Sequence, residues 1–294
     1  MRLTGLHILL TYRCILECDH CFVWGGPRQT TSMTVEQVRA ILRQAYDLGT
    51  VEWVYFEGGE PFLYYPVLVR AVQLATSMGF RVGVVTNAFW ANSVDDALIW
   101  LKPFAEMVED LAISSDDFHG DGTNAAHALA AAGQLRIPTQ VLRVGLPADG
   151  SADAPAADDP ESASVVMFRG RAADTLADKA PQRPAASLMR CENEDLRNPG
   201  RVHVDPLGYV HICQGMTMGN LFQIPLKEMV EMYVPERHPI VGALLKGGPL
   251  ALARVYGVEM TDHYADACHM CYEVRRALRK DFPEILAPDQ MYGA

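Results

Sequence analysis

Two rhythms of apolar and polar positions alternate through the first half of the chain. Leu6–Tyr12 is a short apolar run and Val51–Phe56 alternates among aromatic and β-branched residues, so both read as strands. Between them Val38, Ile41, Leu42 and Ala45 keep a helical period, with Thr34 as cap, Gln37 at the capping-box position and Gly49 as stop. Helical stretches at Pro66–Met78 (stopped at Gly79), Val94–Leu101 and Ala125–Ala132 (ending at Gly133) then separate the strand-like Arg81–Thr86, Val108–Ser114, Thr139–Val144 and Val165–Phe168. Such repetition predicts an α/β fold, a parallel sheet with helices outside, either open or closed into a partial barrel. One stretch, Pro147–Ser162, is dominated by Ala, Asp, Pro, Gly and Ser and reads as a mobile loop with little to bury.

After about Arg190 the rhythm changes. Arg201–Pro206 and Tyr209–Cys213 flank Leu207-Gly208 as a hairpin. Helical signals follow at Leu226–Met232, Ile240–Leu245 and Cys268–Arg279, the last ending in a basic turn that suits a helix C-terminus. A length of 294 residues fits one large domain or two of modest size.

Charge narrows the function classes. Twenty-five Lys and Arg against 36 Asp and Glu leave a net charge of −11, with no basic stripe, which argues against a nucleic-acid partner. Apolar runs such as Val82–Val85 and Ile240–Leu245 are far shorter than the ~20 residues a membrane span needs. Leu3–Leu10 is too interrupted for a secretory signal, so a soluble cytoplasmic protein is expected.

The seven cysteines are the main chemical signal. Seven is odd, so they cannot all pair as disulfides, and a cytosolic setting disfavours pairing. They group as three plus four: Cys14, Cys18 and Cys21, then Cys191, Cys213, Cys268 and Cys271. Cys14-x3-Cys18-x2-Cys21 places three thiolates on one loop just after a strand. Each can take one iron of a cubane, leaving the fourth iron open to an outside ligand. A zinc knuckle completed by His20, or three buried cysteines, are the alternatives at this point.

This spacing resembles the signature of the radical S-adenosylmethionine (SAM) enzymes, with His20 where that family carries an aromatic or apolar residue. The resemblance implies a [4Fe–4S] cluster that binds SAM at its open iron and yields a 5′-deoxyadenosyl radical for hydrogen abstraction. Glu57-Gly58-Gly59-Glu60-Pro61 supports it, because the family places a Gly-Gly-Glu at the end of its second strand to meet the SAM amine. Glycines allow close backbone approach, and a carboxylate suits an ammonium group. Thr86-Asn87 and Ser114-Ser115-Asp116 end the third and fourth predicted strands, where parallel α/β sheets gather their sites. By the resemblance, His20, Gly58, Gly59, Glu60, Asn87 and Ser114 would bind the cofactor. Phe168-Arg169-Gly170-Arg171-Ala172 is similar to a turn after the family's sixth strand. The implied fold is a partial (β/α)6 TIM-like barrel over residues 1–185, followed by a small α+β iron–sulfur domain over residues 186–294.

In the second region Gly208-x4-Cys213 and Cys268-x2-Cys271, with Cys191 upstream, resemble the twitch extension, a shorter relative of the SPASM domain. That implies a second [4Fe–4S] cluster with all four irons ligated, although four cysteines also suit a structural zinc. With every cysteine committed, no thiol remains to return a hydrogen atom, which favours oxidation of a small molecule with the second cluster as electron acceptor or relay. The alternatives are a ribosomal-peptide maturase that crosslinks or epimerises its substrate, and a non-catalytic iron–sulfur or zinc protein. A barrel starting almost at Met1 suggests no fused peptide-recognition domain. Asp117 and His119 are the candidate catalytic residues, and Asp116, Arg143, Arg169 and Arg171 further candidates for substrate contact. A flavodoxin- or ferredoxin-type reductant is the expected partner.

Overall fold

The computed structural model describes residues 1–147 and 164–294. Apart from Pro147, the loop expected at Pro147–Ser162 lies outside the described residues. Five parallel strands form the centre of the molecule: β1 (Gly5–Thr11), β2 (Trp53–Gly58), β3 (Arg81–Thr86), β4 (Asp110–Ser114) and β5 (Thr139–Leu142). Helices α1 (Val35–Leu48), α2 (Tyr65–Ser77), α3 (Val94–Leu101) and α4 (Thr123–Leu135) connect them in turn. The start of α1 follows the sequence signal: Thr34 accepts from the Gln37 amide at 3.2 Å, and the Gln37 side chain accepts from the Thr34 amide at 2.9 Å. Gly133 does not stop α4. The helix runs two residues further and ends at Arg136, whose left-handed φ of 57° lets Ile137 N reach Ala132 O.

The expected strand at Thr139–Val144 is interrupted at Arg143. There pairing passes from β4 to a short parallel pair, β6 (Val144–Gly145) with β7 (Ser164–Val165), in the place of a sixth strand. Val166–Phe168 is therefore not strand. A helical turn, α5 (Arg171–Thr175), and a minimal strand, β8 (Arg183–Pro184), follow. The whole is consistent with a partial TIM-like barrel.

Residues after 185 supply three more strands to the same sheet. β9 (Arg201–Val204) pairs in parallel with β1, while β10 (Tyr209–Cys213) and β11 (Met216–Asn220) continue antiparallel, giving the order β11-β10-β9-β1-β2-β3-β4-β5. The predicted hairpin is β9–β10, and β11 is a strand the sequence pattern did not reveal. Three helices complete this part: α6 (Leu226–Met232), α7 (Pro239–Tyr256) and α8 (Ala267–Leu278), with β12 (His263–Tyr264) pairing to β8. Helix α7 extends well past the predicted Ile240–Leu245 by kinking at Gly247–Gly248 and restarting at Pro249. Gly248 has φ of 61°, and a Cβ there would lie 2.3 Å from Arg190 N, so the chain leading into Cys191 rests directly on the kink.

Among the described residues two large apolar cores flank this frame, with a smaller one around Phe168 and Leu176. Ile8, Val54, Phe56, Val82 and Ile113 turn outward to Val38, Ile41, Leu68 and Leu101 under the first four helices. Tyr12, Ile212, Val241, Leu252, Met270 and Tyr272 pack together in the C-terminal part. The opposite face of the central strands mixes polar and aromatic side chains such as His7, Tyr55, Glu57 and Ser114 with small residues such as Gly83 and Ala112. Gly83 marks this: a Cβ there would be 2.2 Å from the Tyr55 ring, which lies across the strand to put its hydroxyl 2.8 Å from Asp110. Among the described residues, no helix is long and apolar enough to cross a membrane.

Candidate functional site

The carboxyl ends of β1–β5 open into a cavity of about 620 Å³. Its wall includes Cys14, Cys18, His20 and Cys21 from the loop after β1, Gly58 and Gly59 at the end of β2, Asn87 after β3, and Ser114, Asp116 and His119 after β4. Of the residues predicted to bind the cofactor or act in catalysis, all but two reach this wall. Asp117 is exposed and off the cavity wall, because the turn after β4 sends consecutive side chains to opposite sides. Glu60 also departs from expectation, since its carboxylate does not face the cavity.

Glu60 is fully buried behind the glycines. Its Oε1 accepts from Phe62 N at 3.1 Å and Thr86 Oγ1 at 2.9 Å, and Oε2 accepts from Asn87 N at 2.8 Å. It locks the end of β2 to the end of β3, leaving glycine backbone to face the cavity. Burial pushes its carboxyl up to about 7, against the pull of those three donors. The folded state therefore keeps this proton longer than the unfolded chain, whose carboxyl titrates near the ordinary 4.5. Stability from this group is complete below that value and is lost as pH rises to about 7. Glu60→Gln is expected to flatten that stretch of the stability–pH curve. It is also expected to cost about 1–3 kcal/mol at neutral pH, as its NH2 would meet a donor on every side. Denaturant midpoints at pH 5, 6 and 7 test both; unchanged slopes would count against this account.

The cysteine loop is held by backbone and side-chain contacts that leave its sulfurs facing inward. Arg171 donates to Cys18 O at 2.8 Å and Gly25 O at 2.7 Å, and Thr175 Oγ1 donates to Asp19 O at 3.0 Å. Cys14 Sγ accepts from Leu16 N at 3.4 Å and Asn87 Nδ2 at 3.5 Å; Cys21 Sγ accepts from Gly25 N at 3.2 Å. Burial, with the neighbouring sulfurs adding to it, pushes Cys14 up to about 11 and Cys18 to about 12. A thiophilic cation would replace those protons, so the donor set fits a metal cluster on three sulfurs. His20 does not join them. Its ring packs on Phe118 at 4.5 Å, and burial followed by the His119 charge lowers it to about 4.

His119 Nδ1 lies 2.6 Å from Asp116 Oδ1. Burial raises Asp116, but the His119 hydrogen bond and charge more than offset it and leave the carboxyl below its ordinary value. Arg143 is off the cavity wall, and Arg171 serves the cysteine loop.

The remaining four cysteines meet around a second, small cavity. Cys268 and Cys271 lie one turn apart on α8, Cys213 ends β10, and Cys191 comes from the segment against the α7 kink. Asn193 Nδ2 donates to Cys268 Sγ at 3.2 Å. Arg169 Nη1 donates to Cys213 Sγ at 3.1 Å and Glu194 Oε1 at 3.2 Å. Burial raises Cys191, Cys268 and Cys271, as it raises Cys14 and Cys18. Four converging sulfurs beside the buried Arg169 and Arg275 fit a fully ligated metal centre of net negative charge.

Three polar residues on the large cavity's wall were given no role from sequence alone: His7, Glu57 and His203. Each is a polar residue at an inward position of an apolar strand. The signal becomes readable only once β9 is known to lie beside β1.

Residues 8–137 match the family model described as the Radical SAM superfamily. The chain is 29% identical over 113 residues to the "Putative peptide biosynthesis protein YydG" of Bacillus subtilis strain 168, covering 38% of this chain and 35% of that protein. It is 36% identical over 86 residues to the "Probable GTP 3',8-cyclase" of Methanothermobacter marburgensis, covering 29% and 28%. The chain thus spans about a third of the length of these curated relatives. The crystal structure of BtrN in complex with AdoMet and 2-DOIA superposes with a TM-score of 0.51 at 17% identity, covering 77% of this chain and 81% of BtrN, a likeness of fold.

Proposed function

Residues 8–137 are a radical SAM domain, and on that premise we propose that this chain oxidises a small polar molecule, with a second iron–sulfur cluster as electron acceptor or relay. The family implies SAM and one [4Fe–4S] cluster, which together supply a 5′-deoxyadenosyl radical that abstracts a hydrogen atom from the substrate. Cys14, Cys18 and Cys21 would hold that cluster. Gly58, Gly59, Asn87 and Ser114 would line the place of the nucleotide.

The observation that carries the oxidative reading is the convergence of Cys191, Cys213, Cys268 and Cys271. It commits every cysteine of the chain to one of two groups, so none stands free in the cavity to return a hydrogen atom. An electron lost from the substrate needs an acceptor, and a fully ligated cluster suits that role. Arg169 and Arg275 would offset its negative charge. As a hydroxyl-bearing carbon is oxidised, its oxygen loses a proton, and His119, held by Asp116 at the cavity wall, would accept it. A flavodoxin- or ferredoxin-type protein would deliver the initiating electron.

A peptide maturase is the second reading, favoured by the similarity to the peptide biosynthesis protein YydG. Comparison of metabolites and peptides from anaerobic cells with and without the gene separates the two. A small molecule lighter by two hydrogens supports the first; a peptide that loses two hydrogens, or inverts a residue at unchanged mass, supports the second.

The Cys268→Ala/Cys271→Ala variant tests the acceptor. After anaerobic reconstitution it is expected to hold roughly half the wild-type iron, by the two-cubane assignment. It should still cleave SAM reductively and should fail to complete substrate oxidation. Wild-type iron content, or oxidation at the wild-type rate, would remove the acceptor role.

A further inference from the structure

We propose that His7, Glu57 and His203 form a binding site for one divalent first-row metal ion, separate from both cysteine groups and open to the large cavity. The three residues come from three adjacent strands, β9, β1 and β2. In parallel register His203 lies opposite His7, and Glu57 lies opposite Leu9, two positions further along. The strand period of two therefore puts all three side chains on one face of a rigid sheet. His7 is fixed further by stacking on Tyr55, with ring centres 4.7 Å apart and an interplanar angle of 13°.

The spacing is that of donors around a cation. His7 Nδ1 is 3.3 Å and His203 Nε2 3.1 Å from the same oxygen, Glu57 Oε1. Two donors each ~2.1 Å from a metal, at octahedral to tetrahedral angles, stand about 3.0–3.4 Å apart. These close contacts are not aligned as hydrogen bonds: among the described residues His7 Nδ1 and Glu57 Oε1 are buried atoms without a geometrically aligned hydrogen-bond partner. All three ligand atoms lie within 4.8 Å of one another, and leaving buried donors and acceptors unaligned carries a cost that a bound cation would remove.

A comparison within the same cavity sharpens this. His20, Asp116 and His119 also lie close together, but there the His119–Asp116 contact is an aligned hydrogen bond of 2.6 Å, so the pair is already satisfied. Two imidazoles and one carboxylate make the facial donor set that suits Mn, Fe, Co or Zn and leaves several coordination positions open. The side chains of His7, Glu57 and His203 keep 17%, 13% and 19% of their surface accessible, and all three line the large cavity. Open positions would thus face the substrate space and accept oxygen ligands such as a hydroxyl, a carboxylate or water.

Mn(II) is the probe of choice, since it prefers nitrogen and oxygen donors to sulfur. Full-chain protein with its clusters loaded and oxidised is titrated with Mn(II), and loss of the free-ion EPR signal is followed. One Mn(II) per chain is expected to bind. Glu57→Gln and His203→Asn should each weaken it by more than the roughly 100-fold that outer-sphere changes produce, at unchanged iron content and cubane absorbance. Asp116→Asn should bind as wild type. Absence of saturable binding up to millimolar Mn(II), or wild-type affinity in both of the first two variants, overturns the proposal. So does loss of binding in Asp116→Asn alone.

Discussion

Replacing Cys18 by Ala should abolish reductive SAM cleavage while leaving the fold standing. Of the three loop cysteines, Cys18 is the least engaged by the protein itself. Cys14 and Cys21 accept hydrogen bonds from Leu16, Asn87 and Gly25, whereas the Cys18 thiol only donates to Phe118 O at 3.3 Å. The loop backbone around it is carried by Arg171 and Thr175, which the substitution leaves in place. Loss of this sulfur therefore subtracts a metal ligand and little else. Iron should fall by roughly half by the two-cubane assignment, and 5′-deoxyadenosine formation should drop below detection. The unfolding free energy of the metal-free protein should stay within about 1 kcal/mol of wild type. Persistent SAM cleavage in Cys18→Ala would remove the cluster from this loop.

The second large effect is expected at Gly59, for a different reason. A Cβ on Gly59 would lie 2.1 Å from Arg13 O, 2.5 Å from Arg13 C and 2.7 Å from Tyr12 O. All three atoms are backbone, and the Glu60 N–H to Arg13 O hydrogen bond of 2.8 Å holds the two segments together at this point. No rotamer change can relieve the overlap, so the end of β2 and the start of the cysteine loop must separate. Overpacking of this kind costs typically 1–3 kcal/mol and more where backbone must move, so Gly59→Ala should lose about 3 kcal/mol or more. The displaced loop should also lose its iron. Chemical unfolding combined with iron analysis checks this; a variant within about 0.5 kcal/mol of wild type and fully loaded would show that the loop yields freely.

Much of this architecture could be read in the sequence because its signals are local. The α1 cap, the strand at Arg81–Thr86 and the helix at Val94–Leu101 each depend on residues within one or two turns of each other. The cysteine spacing is local too, and it pointed to the loop that now faces the cavity. What escaped was set by distant partners. Strand β11 lacks a strong strand pattern in MTMGN and is held by its pairing to β10. Helix α7 conceals its length behind a Gly-Gly kink, whose shape answers to the chain before Cys191. Glu60 was expected to present charge to the cavity. Thr86 and Asn87, which draw it inward, lie 26 and 27 positions away. His203 belongs beside His7 only because β9 joins the sheet next to β1.

The turn at Arg169-Gly170-Arg171 has a wider consequence. Arg169 reaches Cys213 in one cysteine group, and Arg171, two residues on, grips the loop of the other. Gly170 between them is pressed so close to Cys21 O and Phe22 that a methyl group would stand 2.7 Å from both. The two sulfur nests thus share a single hinge pin three residues long. Loosening it would slacken both at once, so the protein has little freedom to retune one centre while leaving the other undisturbed.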